Sequence, residues 1–220
     1  DDVAGDAGQA FVVFGHEGPV FSDIDVSALS GSDGFKLSTS EAASWFGASV
    51  GADDINGDGL TDLLIGNVAS NANSRGDSGS VLVLYGNIAG SYSDVTFGSV
   101  ATADGFTIFG EDVSDFMAHA VEGAGDVNGD GIGDVLVSTW VDDEGGGDAG
   151  AAWIIYGKTG VSRSDIDLNV LTSSDGFKII GDAAADYFGR SNTAGDVNGD
   201  GYQDMIISSP LGNNAATDAG

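Results

Sequence analysis

The sequence predicts an all-β fold assembled from repeated four-stranded units, and three observations predict it. The first is internal repetition. SDIDVSALSGSDGFKL from Ser22 returns as SDVTFGSVATADGFTI from Ser93 and as SDIDLNVLTSSDGFKI from Ser164, 71 residues apart each time. GDAGQAFVVFG, GDSGSVLVLYG and GDAGAAWIIYG keep the same step and end on Gly15, Gly86 and Gly157. DINGDGLTD, DVNGDGIGD and DVNGDGYQD begin at Asp54, Asp126 and Asp196. The second observation is that apolar residues fall in short runs bounded by Gly and Asp, with no helical 3.6 period. The third is 37 glycines against 2 prolines, the composition of a chain with many tight turns.

Within one repeat the elements follow in order. WFGASVGA (45–52) is a small-residue strand leading into an acidic loop. DLLIGNV (62–68) and SVLVLYG (80–86) are β-branched or aromatic runs, and GFTIFG (105–110) alternates apolar with polar. About 71 residues per four-stranded antiparallel unit, with an acidic loop in each, is the pattern of a β-propeller blade. The phase of the repeats divides the chain into a half blade of outer strands (1–40), blades at 41–110 and 111–180, and a half blade of inner strands (181–220). These three blade-equivalents are too few to close a ring of the usual 4–8 blades. Two chains head to tail, making a six-bladed homodimer, or further blades from a longer chain would complete it. The opening Asp1-Asp2, without Met, reads as a mature or excised piece.

The acidic loops carry the chemistry. In Asp54-Ile55-Asn56-Gly57-Asp58-Gly59-Leu60-Thr61-Asp62, oxygen-bearing side chains stand at positions 1, 3, 5 and 9, and a glycine at 6 allows the sharp turn. A backbone carbonyl at position 7 would complete the set. Ca²⁺ takes 6–8 hard oxygen ligands in flexible geometry, and this spacing curls the chain round such an ion. The start matches an EF-hand loop, but the last acid comes at 9 and no helices flank it. A self-sufficient Asx turn is the alternative. Against it, all three copies keep Asp, Asn, Asp and Asp while Leu60, Ile132 and Tyr202 vary. Crowded carboxylates would also repel by roughly 4 kcal/mol per close pair at an effective dielectric of 20. Mg²⁺, with its small octahedral shell, suits this set less well.

Charge and composition exclude other functions. With 35 acidic residues against 6 basic and a net charge of −29, nucleic acid is excluded as a partner. There is no cysteine, hence no disulfide framework or thiolate metal site, and no apolar run approaches the roughly 20 residues of a membrane span. His16 and His119 do not recur between repeats, and His119 falls near the alignment position of Ser49 and Ser191, so neither is expected to be a catalytic base. Trp45, Trp140 and Trp153 are expected in core or inter-blade packing, and VDDEGGGD (141–148) as a solvated loop. Arg75-Gly76-Asp77 matches the tripeptide read by integrins. Its Gly-Asp recurs at Gly5-Asp6 and Gly147-Asp148, which makes it a strand-to-strand turn that acquired an arginine.

Phe46-Gly47 and Phe188-Gly189, each followed by D-x-N-x-D-G-x-x-D and an apolar strand, resemble FG-GAP repeats, the blades of the integrin α-subunit propeller and of many bacterial surface or secreted proteins. The resemblance covers essentially the whole chain. It implies three Ca²⁺ sites: Asp54, Asn56, Asp58, Leu60 and Asp62; Asp126, Asn128, Asp130, Ile132 and Asp134; and Asp196, Asn198, Asp200, Tyr202 and Asp204, the position-7 residue acting through its carbonyl. The GAP triplet departs as Gly66-Asn67-Val68, Ser138-Thr139-Trp140 and Ser208-Ser209-Pro210, and Phe116-Met117 stands where FG is expected, with irregular packing anticipated there. The function implied is non-enzymatic: an extracellular or cell-surface calcium-binding module for adhesion, protein–protein interaction or surface assembly, with a protein or glycan partner. An accessory domain of a secreted enzyme and a carbohydrate-binding propeller are the alternatives.

Overall fold

The computed structural model describes residues 5–15, 17, 23–87 and 93–212, and every element in it other than three single-turn 3₁₀ helices is a strand. In chain order these are β1 (Gln9–Val13), β2 (Gly34–Ser38), β3 (Phe46–Asp53), β4 (Asp62–Asn67), β5 (Ser80–Leu84), β6 (Val95–Thr96), β7 (Gly105–Phe109), β8 (Ala120–Gly125), β9 (Asp134–Thr139), β10 (Ala151–Ile155), β11 (Ile166–Asp167), β12 (Gly176–Ile180), β13 (Asn192–Gly195) and β14 (Asp204–Ile207). The chain is all-β and built of propeller-type sheets.

Two sheets contain four antiparallel strands each, in the orders β3-β4-β5-β7 and β8-β9-β10-β12. At the flanks, β1 pairs with β2 and β13 with β14. The connection between the third and fourth strands of each repeat reaches back to the preceding sheet. β6 adds in parallel to β2, and β11 adds in parallel to β7. The Ser-Asp that marks the period in the sequence makes this clasp: the Lys36 N–H donates to Asp94 (3.0 Å) and the Thr107 N–H to Asp165 (2.8 Å).

The core lies between the sheets rather than inside any one of them. Alternate residues of a strand serve opposite seams, as a period of two requires. Leu64, Val81 and Val83 pack with Val135, Val137 and Trp153, while Ile65 and Leu82 pack with Phe35, Leu37 and Phe46. A third cluster joins Leu136 and Ile154 to Phe177, Phe188 and Met205. Burial on both faces explains why these runs are continuously apolar.

The seams also correct the reading of the middle repeat. The N–H groups of Phe46, Met117 and Phe188 donate to the carbonyls of Ala7, Ser78 and Ala149 at 3.0 Å each. Met117-Ala118, not Phe116-Met117, is therefore the Phe-Gly equivalent. Met117 is fully buried, and Ala118 (φ 76°) takes the left-handed conformation of Gly47 (82°) and Gly189 (84°). In this alignment His119 matches Ala48 and Arg190. The longer approach to the second loop is absorbed by a bulge at Ala124, where the β8–β9 register breaks between Gly123 and Gly125.

Candidate metal centres

Each acidic loop joins the first strand of a repeat to the second, and the three are built alike. Position 1 organises the turn: Asp54 accepts the N–H groups of Asp58 (3.1 Å) and Gly59 (2.8 Å). Asp126 and Asp196 accept the corresponding amides and that of position 4 as well. The side-chain carbonyls of Asn56, Asn128 and Asn198 accept the N–H of Asp58, Asp130 and Asp200 at 2.8–2.9 Å. Those acids accept in turn from the N–H of Leu60, Ile132 and Tyr202.

Position 9 belongs to the sheet as much as to the loop. Asp62 accepts from the N–H of Ile55 and of Gly86, both at 2.8 Å, and so ties the loop to the far end of β5. Asp134 does the same with Val127 (2.9 Å) and Gly157 (2.8 Å). Both are fully buried. Burial pushes each carboxyl up to about 6, opposed by the two amide bonds and reinforced by repulsion from the acids at positions 5 and 1. Asp204 accepts from Val197 (2.8 Å) and Asn198 (3.2 Å).

The donors are all hard oxygens, the kind a divalent cation takes, and the Asp58 and Asp54 carboxylates both repel that of Asp62. Among the described residues, no three acidic, His or Cys groups converge on a single point. A carboxylate offers about four lone-pair positions, so the amide bonds do not exhaust any of these side chains.

The loops also support one another. The Asp54 carbonyl accepts the Gly133 N–H (3.0 Å), and the Asp126 carbonyl accepts the Gln203 N–H (3.1 Å), so position 8 of each loop leans on position 1 of the one before. A Cβ on Gly57 would stand 3.3 Å from the Ile132 side chain, and one on Gly129 would overlap the Tyr202 ring. Position 7, variable in the sequence, packs over the position-4 glycine of the preceding loop.

Other groups singled out by sequence find structural employment. Arg75 donates to Asp167 at 2.5 Å, and the same carboxylate accepts from the Asn73 amide at 2.7 Å. The arginine of the Arg-Gly-Asp turn is thus bound to the β11 clasp instead of being held out for a receptor. Within 141–148, Asp142 is buried rather than solvated: with Glu111 and Glu144 it holds Lys178 at 2.7–2.9 Å. Trp153 is buried under that lysine, as expected. Trp140 is enclosed by His119, Tyr187 and Arg190, whereas Trp45 is 53% exposed, against the expectation that it packs. His16 lies outside the described residues.

Comparison with known proteins follows the same lines. The FG-GAP repeat family model matches residues 46–84 and 188–220. The middle repeat, with Met117-Ala118 and its extra residue, lies outside the matched stretches. Integrin alpha-5 of Xenopus laevis is 30% identical over 209 residues, covering 92% of this chain and 18% of that protein. Integrin alpha-4 of Xenopus laevis is 28% identical over 183 residues (82% and 16%), and integrin alpha-2 of Mus musculus 27% over 168 (76% and 13%). The chain spans less than a fifth of the length of these relatives.

Proposed function

The chain is built of FG-GAP repeats, and on that premise we propose that it is a calcium-stabilised propeller module of an extracellular or cell-surface protein, serving adhesion or protein–protein assembly rather than catalysis. The observation that carries the proposal is the threefold recurrence of a loop with only hard-oxygen donors, each closed on its own position-9 acid and hydrogen-bonded to the neighbouring loop. Asp54, Asn56, Asp58, Asp62 and the Leu60 carbonyl would hold one ion, and the matching residues of the other two loops would hold two more. Bound Ca²⁺ would supply positive charge that offsets carboxylate repulsion. The chain's own residues do the rest, turning the loop and fastening it to the sheet.

Extracellular calcium modules bind with Kd of about 10⁻⁴–10⁻³ M, so such sites fill in millimolar Ca²⁺ and empty in the cytosol. At tenfold excess over Kd each site adds about 1.4 kcal/mol. Thermal melts in millimolar Ca²⁺ and in EGTA test this, with a control in which Asp58, Asp130 and Asp200 are all changed to Ala. The expected result is a Tm lowered by many degrees in EGTA and a control that no longer responds to Ca²⁺. An identical melt in both buffers would mean self-sufficient turns and would remove the extracellular reading with them.

The exposed Trp45 favours a second reading, a glycan-binding face. A glycan array with Trp45→Ala as control tests it, and absence of binding discards it.

A further inference from the structure

The repeats differ at one cross-strand pair on the third and fourth strands of each unit. In β1–β2 the pair is Phe11 with Lys36, and in β10–β12 it is Trp153 with Lys178. In β5–β7 the same register position holds Leu82 opposite Thr107. Two repeats therefore set an aromatic ring beside an ammonium, and the repeat between them has neither.

The Trp153–Lys178 pair shows what this position accommodates. The indole is 1% exposed and packs with Leu168 and Leu171, and the Lys178 Nζ stands 5.0 Å from the ring centroid. Phe97 and Val100, the counterparts of those two leucines, pack with Leu82 in the same way. The smaller pair leaves room. A cleft of about 330 Å³ opens at Leu82, walled by Phe97, Val100 and Phe109 and bordered by Thr107 and Asp165. Phe97 is larger than Leu168 but does not fill the space, because its ring leans on Phe46 with 5.8 Å between centroids.

The cleft has the size and make-up of a small-molecule site, since such sites run from about 300 to 1,000 Å³ with apolar walls and a few polar groups. Its charged group is Asp165. That carboxylate accepts the Thr107 N–H at 2.8 Å, and its remaining lone pairs can take a second donor. Among the described residues, no lysine or arginine lines the cleft, so a cation entering it meets an acid and no like charge.

We propose that this cleft binds a small aromatic amine, the ring lying against Leu82 as Trp153 lies in the next repeat and the ammonium donating to Asp165. The ring buries apolar surface between Phe97, Val100 and Phe109, and the ammonium adds a charge-assisted hydrogen bond. The inference goes beyond the adhesion reading and does not depend on calcium in the loops.

Titration calorimetry of the 220-residue chain with tryptamine, in millimolar Ca²⁺, is the test. One-to-one binding is expected. Indole, which lacks the ammonium, should bind about tenfold more weakly. Butylamine, without the ring, and indole-3-acetate, with the charge reversed, should not bind. Asp165→Asn should bring tryptamine down to the level of indole and leave indole unchanged. Leu82→Trp supplies the ring from within and should abolish binding of both, with a Tm no lower than the parent's. Thr107→Lys, at a half-buried position that is lysine in the other two repeats, should abolish tryptamine binding by like charge and keeps the test open if the tryptophan variant does not fold. Absence of saturable tryptamine binding would overturn the proposal. Butylamine binding as tightly as tryptamine would overturn it too, as general attraction to a chain of net charge −29. So would tryptamine binding undiminished by Leu82→Trp or Thr107→Lys, which would put the ligand elsewhere.

Discussion

Asp58 and Asp62 stand four residues apart and have different duties. Asp58 fastens only its own loop, so Asp58→Ala should lower the calcium-dependent part of Tm and change little in EGTA. Asp62 is fully buried and holds two backbone amides; Asp62→Ala leaves both unpaired and should cost about 2–4 kcal/mol with or without metal. Chemical denaturation in both buffers separates the two. Asp115 offers a pH test away from the loops. Burial first, then Asp142, Asp112 and Glu111, push its carboxyl up to about 7 against the pull of Lys178. A raised carboxylate pKa means that the folded state holds its proton longer than the unfolded chain. Its ionisation therefore costs stability as pH climbs from about 4 to 7. Asp115→Asn should be more stable than the parent at pH 8 and similar to it near pH 4, as a Tm series across pH would show. Arg75→Ala removes the charged partner of Asp167 and leaves it the Asn73 amide, and should destabilise by about 1 kcal/mol, while attachment of integrin-bearing cells to the immobilised chain should not change.

At the level of elements, the strands and acidic loops were legible because each is local: a short apolar run, or a turn whose donors are its own next few residues. The clasps β6 and β11 were not, since two residues pairing with a strand 58 positions earlier leave no local pattern beyond the Ser-Asp that happened to mark the period. From the sequence the middle Phe-Gly equivalent falls one residue early because Phe116 matches the aromatic, whereas hydrogen bonding selects Met117. Loop position 7 was legible only as a carbonyl, because its side chain answers to a glycine in another repeat. Glycines Gly8, Gly79 and Gly150 face these seams at φ 82–84°, and a Cβ on any of them would collide with the backbone of Phe46, Met117 or Phe188. Gly79→Ala should therefore lower stability by more than 2 kcal/mol in a urea titration, well above the usual cost of a surface substitution.

For the molecule as a whole, a net charge of −29 sets the conditions under which the seams hold. Self-repulsion opposes the compact state and is screened by salt. In EGTA, raising NaCl from about 20 mM to 0.5 M should recover part of the lost Tm, and in Ca²⁺ it should change little. Charge was legible from composition alone, and so was its natural counter-ion. How the repeats lean on one another was not, because it depends on contacts between positions some 70 residues apart.

The junction at Gly8, Gly79 and Gly150 has a consequence for ancestry. Every 71-residue unit carries the glycine side of its junction with the next unit and the Phe or Met side of its junction with the one before. A duplication of whole units thus copies both halves together, and a lengthened descendant inherits working joints without having to invent one.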